Sequence, residues 1–192
     1  MTDRNLIFSG PMVRALLEGR KTQDRRVYQY DDGRWGIILH CAVGDRIWAR
    51  ESWSGDYVFR DTPPKSRNSF VADGHPYLRE TIWYWADGSP EDGNYEKPVN
   101  ARLMPRWASR LTLTVTDVRV QRLQDISEED ARAEGIFTPE IGYVNLGKKA
   151  PVIQYAMLWN SLHGPDAWDA NPWVSAITFT VHHGNIDQMR AA

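Results

Sequence analysis

The sequence predicts an α+β fold, a small mixed β-barrel with a few short helices at its ends and one long insertion. Three features of the chain point there. Segments with the period of two that marks a strand outnumber those with helical spacing, the helical segments are short, and the two kinds do not alternate as a doubly wound sheet requires. The longest strand-like run, "SRLTLTVTDVRVQRL", has a length at which barrel strands bend or bulge.

"NLIF" (5–8) reads as a first short strand. Ser9 can cap the helix that follows, with Pro11 in its first turn, Met12, Ala15 and Leu16 on one face, and Gly19 as its stop. "KTQDRRVY" runs extended or bent and "YDDGRWG" turns. "VGDRIWARESW" leaves a Gly-Asp turn and alternates Ile47, Ala49 and Glu51 with Arg46, Trp48 and Arg50, as a strand does. From 54 to 104 the chain is rich in Gly, Pro, Asp, Ser and Asn and has no sustained periodicity, so a long insertion loop is expected, with "TIWYWADG" as a hairpin inside it.

The run from Ser109 alternates Leu111, Leu113 and Val115 with Thr112, Thr114 and Thr116, the clearest strand in the chain. "DISEEDARAEGI" is a short helix with Ser127 as its cap, Asp130 at the third position of a capping box and Gly135 as its stop. "PVIQYAMLWNSLHG" is an amphipathic helix ending at Gly164, and "NPWVSAITFTVHH" is a last strand. One domain over 1–192 is expected, interrupted at 54–104.

Composition narrows the functional classes. With 192 residues, 42% hydrophobic and 25% charged, the chain can bury a full core as a soluble globular protein. A formal net charge of -2 gives no global attraction to nucleic acid, so any such affinity must be local. The single cysteine, Cys41, excludes an internal disulfide and fits a reducing compartment. No signal-peptide layout and no long apolar run is present, so a cytoplasmic location and no membrane partner are expected. Neither a phosphate-binding glycine loop nor a dinucleotide fingerprint occurs, and the Cys and His spacings of a zinc site are missing; no cofactor and no metal are expected. Nine Trp stand out, many beside Arg, a pairing that can stack on bases or simply brace loops and core.

One charged cluster calls for an account. "LLEGRKTQDRR" carries Arg20, Lys21, Asp24, Arg25 and Arg26, either as a solvated surface or as the edge of a pocket. Together, "LIFSGPMVRALLEGRKTQDRR", "VGDRIWARESW", "MPRWASRLTLTVTDVRVQRLQDISEEDARAEGI" and "LWNSLHGPDAWDANPWV" resemble the ASCH domain family, and more narrowly its phage and prophage branch. The resemblance implies a PUA-like barrel. It also implies candidate chemistry, because small bacterial ASCH proteins include metal-independent amidohydrolases that remove the acyl group from N(4)-acetylcytidine with a Lys, a Thr and a Glu. The Lys falls on Lys21 and the Glu on Glu134. The Thr position holds Asp24, so a threonine nucleophile is absent.

Two functions follow as expectations. In the first, Lys21, Asp24 and Glu134 are catalytic in an amidohydrolase of N(4)-acylated cytidine nucleosides or bases, with Thr22, Arg26, Trp48, Glu51 and Trp107 binding substrate. Two carboxylates near one Lys can activate a water while the Lys binds the oxyanion. In the second, the chain binds RNA or a modified base without chemistry, its partner being a nucleoside or single-stranded RNA.

Overall fold

The computed structural model describes residues 1–29, 35–36, 41–67, 82–91, 93–136 and 150–189. In chain order the elements are β1 (Asp3–Ile7), α1 (Gly10–Leu17), β2 (Gln23–Arg26), β3 (Tyr28–Gln29), β4 (Trp35–Gly36), β5 (Arg46–Arg50), β6 (Trp53–Ser54), β7 (Trp83–Tyr84), β8 (Leu111–Arg122), α2 (Glu128–Ala133), α3 (Ala150–His163) and β9 (Trp173–His183). The class is α+β, as expected. Five strands hydrogen-bond in the order β1-β5-β8-β9-β2, while β3 pairs with β4 and β6 with β7. No ring of strands closes among the described residues, so the barrel expectation is corrected to an open strand order. Both terminal strands are short, and their ladders are spent on one neighbour each: β1 lies parallel to β5, and β2 antiparallel to β9.

The chain forms two compact units. The first comprises Met1–Arg14, Arg46–Leu113 and Val181–Ala192. Its ladder pairs Asp3 with Arg46 through Ile7 with Arg50. The described residues of 54–104 belong to this unit and include short paired strands and 3-10 turns. The described part of "TIWYWADG", 82–88, does not fold back on itself as a hairpin. Trp83 and Tyr84 pair instead with Ser54 and Trp53, and Trp85–Asp87 forms a 3-10 turn. Trp53, Ile82, Met104, Trp107 and Ala108 make the local core, with Trp53 and Trp107 edge to face at 6.0 Å. Arg67 is buried beneath it, pairing with both oxygens of Glu96 and donating to the Phe59 and Thr62 carbonyls. A guanidinium so fully hydrogen-bonded is one that a protein interior tolerates.

The second unit comprises Ala15–Asp45 and Thr114–Thr180. Helix α2 packs on α3. Leu123, Ile126, Ala131, Tyr155, Trp159, Ala167 and Val174 form its core. Ser127 caps α2 as expected, its hydroxyl accepting from the Asp130 N–H at 3.0 Å. The Asp130 carboxylate points elsewhere, to Arg25 and Arg119, so the reciprocal half of the capping box gives way to ion pairing.

Candidate functional site

The second unit places Lys21 and Glu134 side by side through the backbone. Gly19, at φ 71°, ends the turn after α1, and the Lys21 N–H donates to the Ala15 carbonyl at 3.0 Å. Lys21 then forms an isolated antiparallel bridge with Glu134, the residue that closes α2. The Thr22 N–H donates to the Ala133 carbonyl at 2.8 Å, and the Phe179 N–H donates to the Thr22 carbonyl at 2.9 Å. Gly135, at φ 78°, follows Glu134, and a Cβ there would stand 2.6 Å from the Lys21 Cβ and 2.9 Å from the Ala15 Cβ. Only glycine supplies both the backbone conformation and the space. Sequence positions 113 apart are thereby joined by main chain before any side chain meets.

The side chains complete a buried ion cluster. Lys21 Nζ lies 2.9 Å from Glu134 Oε2, 3.0 Å from Asp24 Oδ1 and 2.7 Å from the Gln23 carbonyl. Arg25 donates to Glu134 Oε1 at 2.9 Å and to Asp130 Oδ2 at 2.9 Å, and Arg26 pairs with the other Asp24 oxygen. Lys21 has no exposed surface, and Asp24 and Glu134 are each 3% exposed. The charged stretch is therefore not a solvated face; three of its cations are matched by Asp24, Glu134 and Asp130.

Electrostatics separate the three groups. Burial works against the Lys21 ammonium, yet Asp24 and Glu134 outweigh it and hold its pKa above the ordinary 10.5. A neutral lysine base is thus opposed by two carboxylates in contact. Asp24 also suffers burial, but Arg26 and Lys21 hold its carboxyl below the ordinary 3.8. Glu134 goes the other way: burial, with Asp24 adding to it, lifts its carboxyl above 4.5 despite Lys21 and Arg25. Of the two carboxylates, Glu134 is the more basic.

The remaining expected residues fall in both units. Thr22 and Arg26 belong with the cluster's chain segment. Trp48, Glu51 and Trp107 belong to the first unit. There Arg50 lies over the Trp48 ring at 5.4 Å, Glu51 chelates Arg110 at 2.9 and 3.0 Å, and Trp107 packs on Trp53. Sequence reasoning did not place Gln23, Asp130 or Tyr155 at the cluster. The signal for Gln23 and Arg25 was the strand period itself, since Lys21, Gln23 and Arg25 are two apart and share a face. Gln23 Nε2 donates to Asp130 Oδ1 and Thr178 Oγ1 at 3.1 Å each, and Arg25 lies 5.8 Å over the Tyr155 ring. Among the described residues no group of three or more His, Cys, Asp or Glu is placed to hold a metal ion, and no helix is long and apolar enough to cross a membrane.

No family model matches the chain, and no curated protein matches it. Similar solved structures include two. The first is a DUF984 protein of Enterococcus faecalis, 11% identical, with a TM-score of 0.44, covering 100% of this chain and 86% of its own. The other is from Lactobacillus crispatus, 12% identical, with a TM-score of 0.40, covering 94% of this chain and 79% of its own. That second structure is an ASCH domain. The family that the sequence segments resemble thus stands among the structures similar to this chain, at a distance too great to bear on its activity.

Proposed function

We propose that the chain is a metal-independent amidohydrolase acting on N(4)-acylated cytosine nucleosides or bases, with the Lys21, Asp24 and Glu134 cluster as its chemistry. The observation that carries this reading is the convergence of one ammonium and two carboxylates of opposite pKa shift within 3.0 Å. Neighbouring titratable groups whose environments push their pKa values apart are what acid–base sites are built from. Glu134, the more basic carboxylate, takes a proton from water as its oxygen attacks the acyl carbon. Protonation of Glu134 weakens its hold on the Lys21 ammonium, which turns that N–H to the oxyanion so formed. Collapse of the tetrahedral intermediate breaks the C–N bond, the proton held by Glu134 passes to the departing amine, and cytidine and a carboxylic acid result. Asp24 keeps Lys21 charged and in place, a positioning role, and no covalent acyl-enzyme is required. Because the cluster is buried, turnover needs local opening to admit substrate and water.

That burial also supports a second reading, in which the chain binds a modified base or single-stranded RNA and the cluster is structural. Release of cytidine from N(4)-acetylcytidine by the purified protein decides between them. Turnover is expected in the wild type and in Asp24→Thr, and its loss is expected in Glu134→Gln, which keeps the hydrogen bond to Lys21 but not the base. Turnover confined to Asp24→Thr would make the native chain a binder. Turnover unchanged in Glu134→Gln, or absent from all three proteins, would sink the hydrolase.

A further inference from the structure

We propose that the first unit carries a separate binding pocket, of about 260 Å³, that takes one uncharged planar heteroaromatic base, presented by a free nucleoside or by single-stranded RNA. Its wall is built from Tyr84, Trp107, Arg110, His183, Gly184 and Gln188. The size is just below the ~300 Å³ at which pockets for drug-sized ligands begin, which suits a single base and not a longer oligomer.

The wall is a stacking platform. The Arg110 guanidinium lies 4.1 Å from the Tyr84 ring centroid. Its edges are clamped by two carboxylates: Nε and Nη2 donate to Glu51 at 2.9 and 3.0 Å, and Nη1 and Nη2 donate to Asp87 at 2.7 and 2.9 Å. Tyr84 is fixed in turn, its hydroxyl donating to the Ala108 carbonyl at 2.8 Å. A planar cation held by its edges against one ring offers its other face to a second π system. One guanidinium against two carboxylates leaves no spare positive charge, so a phosphate gains nothing at this wall and a neutral base does.

One of the lining residues, Trp107, is 7% exposed and carries a buried donor, its indole Nε1, without an acceptor among the described residues. A ring nitrogen or carbonyl of a base seated beside it can meet that donor if the Trp107 ring turns its N–H edge to the pocket. The neighbouring Asn185 is not available for a ligand, because its Nδ2 is committed to the Arg106, Trp107 and Ser109 carbonyls and its Oδ1 to the Asp187 N–H. It fixes the loop on which Trp107 and Arg110 stand. Gly184 lines the pocket, and a Cβ built there meets nothing within 4 Å. A side chain at that position fills open space without collision.

The test is calorimetric titration of unacylated cytidine, uridine and adenosine, and of a short single-stranded oligouridylate, into the full-length chain. Saturable one-to-one binding of a nucleoside is expected, or of the oligomer alone if the base must come from RNA. Gly184→Leu should abolish it. Trp107→Phe, which keeps the ring and removes the N–H, should weaken it about tenfold, the worth of one hydrogen bond. Thermal unfolding of both variants checks that they fold; should Gly184→Leu not fold, Trp107→Phe decides alone, since it removes a donor that has no partner in the unliganded protein. No binding by any of the four ligands overturns the proposal. So does binding that both variants keep, or that only Lys21→Met loses, for the ligand would then sit at the Lys21 cluster. None of these ligands carries an acyl group, so absence of hydrolysis leaves this inference standing, and failure of this inference leaves the hydrolase standing.

Discussion

At the scale of single residues, Lys21 shows how a buried charge is made tolerable. Its three acceptors are all within 3.0 Å, and two of them are carboxylates. Removing the ammonium leaves Asp24 and Glu134 buried and facing each other, so Lys21→Met should cost about 3–5 kcal/mol in a urea titration, the range for breaking one side of a buried pair. The pH dependence has a definite sign. Asp24 titrates below its ordinary 3.8 in the fold, so its stabilising contribution is complete above that value and is lost as pH falls through the folded pKa. Lys21 titrates above 10.5, so its contribution is complete below that value and is lost as pH rises through the folded pKa. Asp24→Asn should therefore flatten the acid limb of the stability profile, read as unfolding midpoints across the acid range; an acid limb as steep as the wild type's would contradict this. For turnover, Glu134 must be ionised and Lys21 charged. The acid limb of kcat/KM should thus lie above 4.5 and the alkaline limb above 10.5. Lys21 and Asp24 stood out in the sequence as members of a charged run, but their grouping with Glu134 was legible only through a family resemblance. Nothing in composition or spacing joins two positions 113 apart. Arg25 was visible as a charge, but its burial was not, because that depends on Glu134 and Asp130 arriving from another part of the chain.

At the scale of elements, local rules did well where one chemical cause acts alone. The cap at Ser127, the glycine stops at Gly19, Gly135 and Gly164, and the strands β8 and β9 all appear in the structure, although Leu111–Leu113 and Val174–Ile177 are buried on both faces and do not alternate. They rest on backbone freedom and on hydrogen bonds between near neighbours. "TIWYWADG" was misjudged because its two strand residues found their partners about thirty positions away, at Trp53 and Ser54, and a hairpin rule looks only next door. Closure of the strands was misjudged for a similar reason, since pairing between distant strands is not written in either strand's own pattern. The glycine at 135 does double duty as stop and as spacer. Gly135→Ala would strain a positive φ and press a methyl against the Lys21 Cβ, so it should cost more than the roughly 1 kcal/mol of an unfavourable φ alone. Thermal unfolding measures this, and a change smaller than that would mean Lys21 moves aside freely. A variant that folds but loses turnover would tie the bridge at Lys21 to the chemistry.

At the scale of the whole molecule, both units are assembled from separated stretches of chain. The first draws on three and the second on two, and β8 and β9 contribute residues to each. The first strand is tied to the last described turn by Arg46, which pairs with Asp3 and donates to the Ile186 and Met189 carbonyls at 3.3 Å. A chain ended at Pro172 lacks β9 altogether. It should lose the cooperative unfolding transition, followed by tryptophan fluorescence, and not merely shift its midpoint; a sharp transition in the truncated chain would show that the rest folds unaided.

The lateness of β9 carries a further consequence. Translation adds about 5–20 residues per second, so the early segments emerge well before the strand that completes both units. Until position 178 has cleared the ribosome, the ladder from Gln23 to Arg26 lacks its full partner, and until position 185 has followed, the Arg106–Ser109 loop lacks the Asn185 amide that fixes it. The nascent chain must therefore carry Lys21, Asp24 and Arg25 in water, where they need no partners, and commit them to the interior only once β9 has emerged. Charges in that segment keep the waiting intermediate soluble, and the same charges become the buried cluster once the last strand docks.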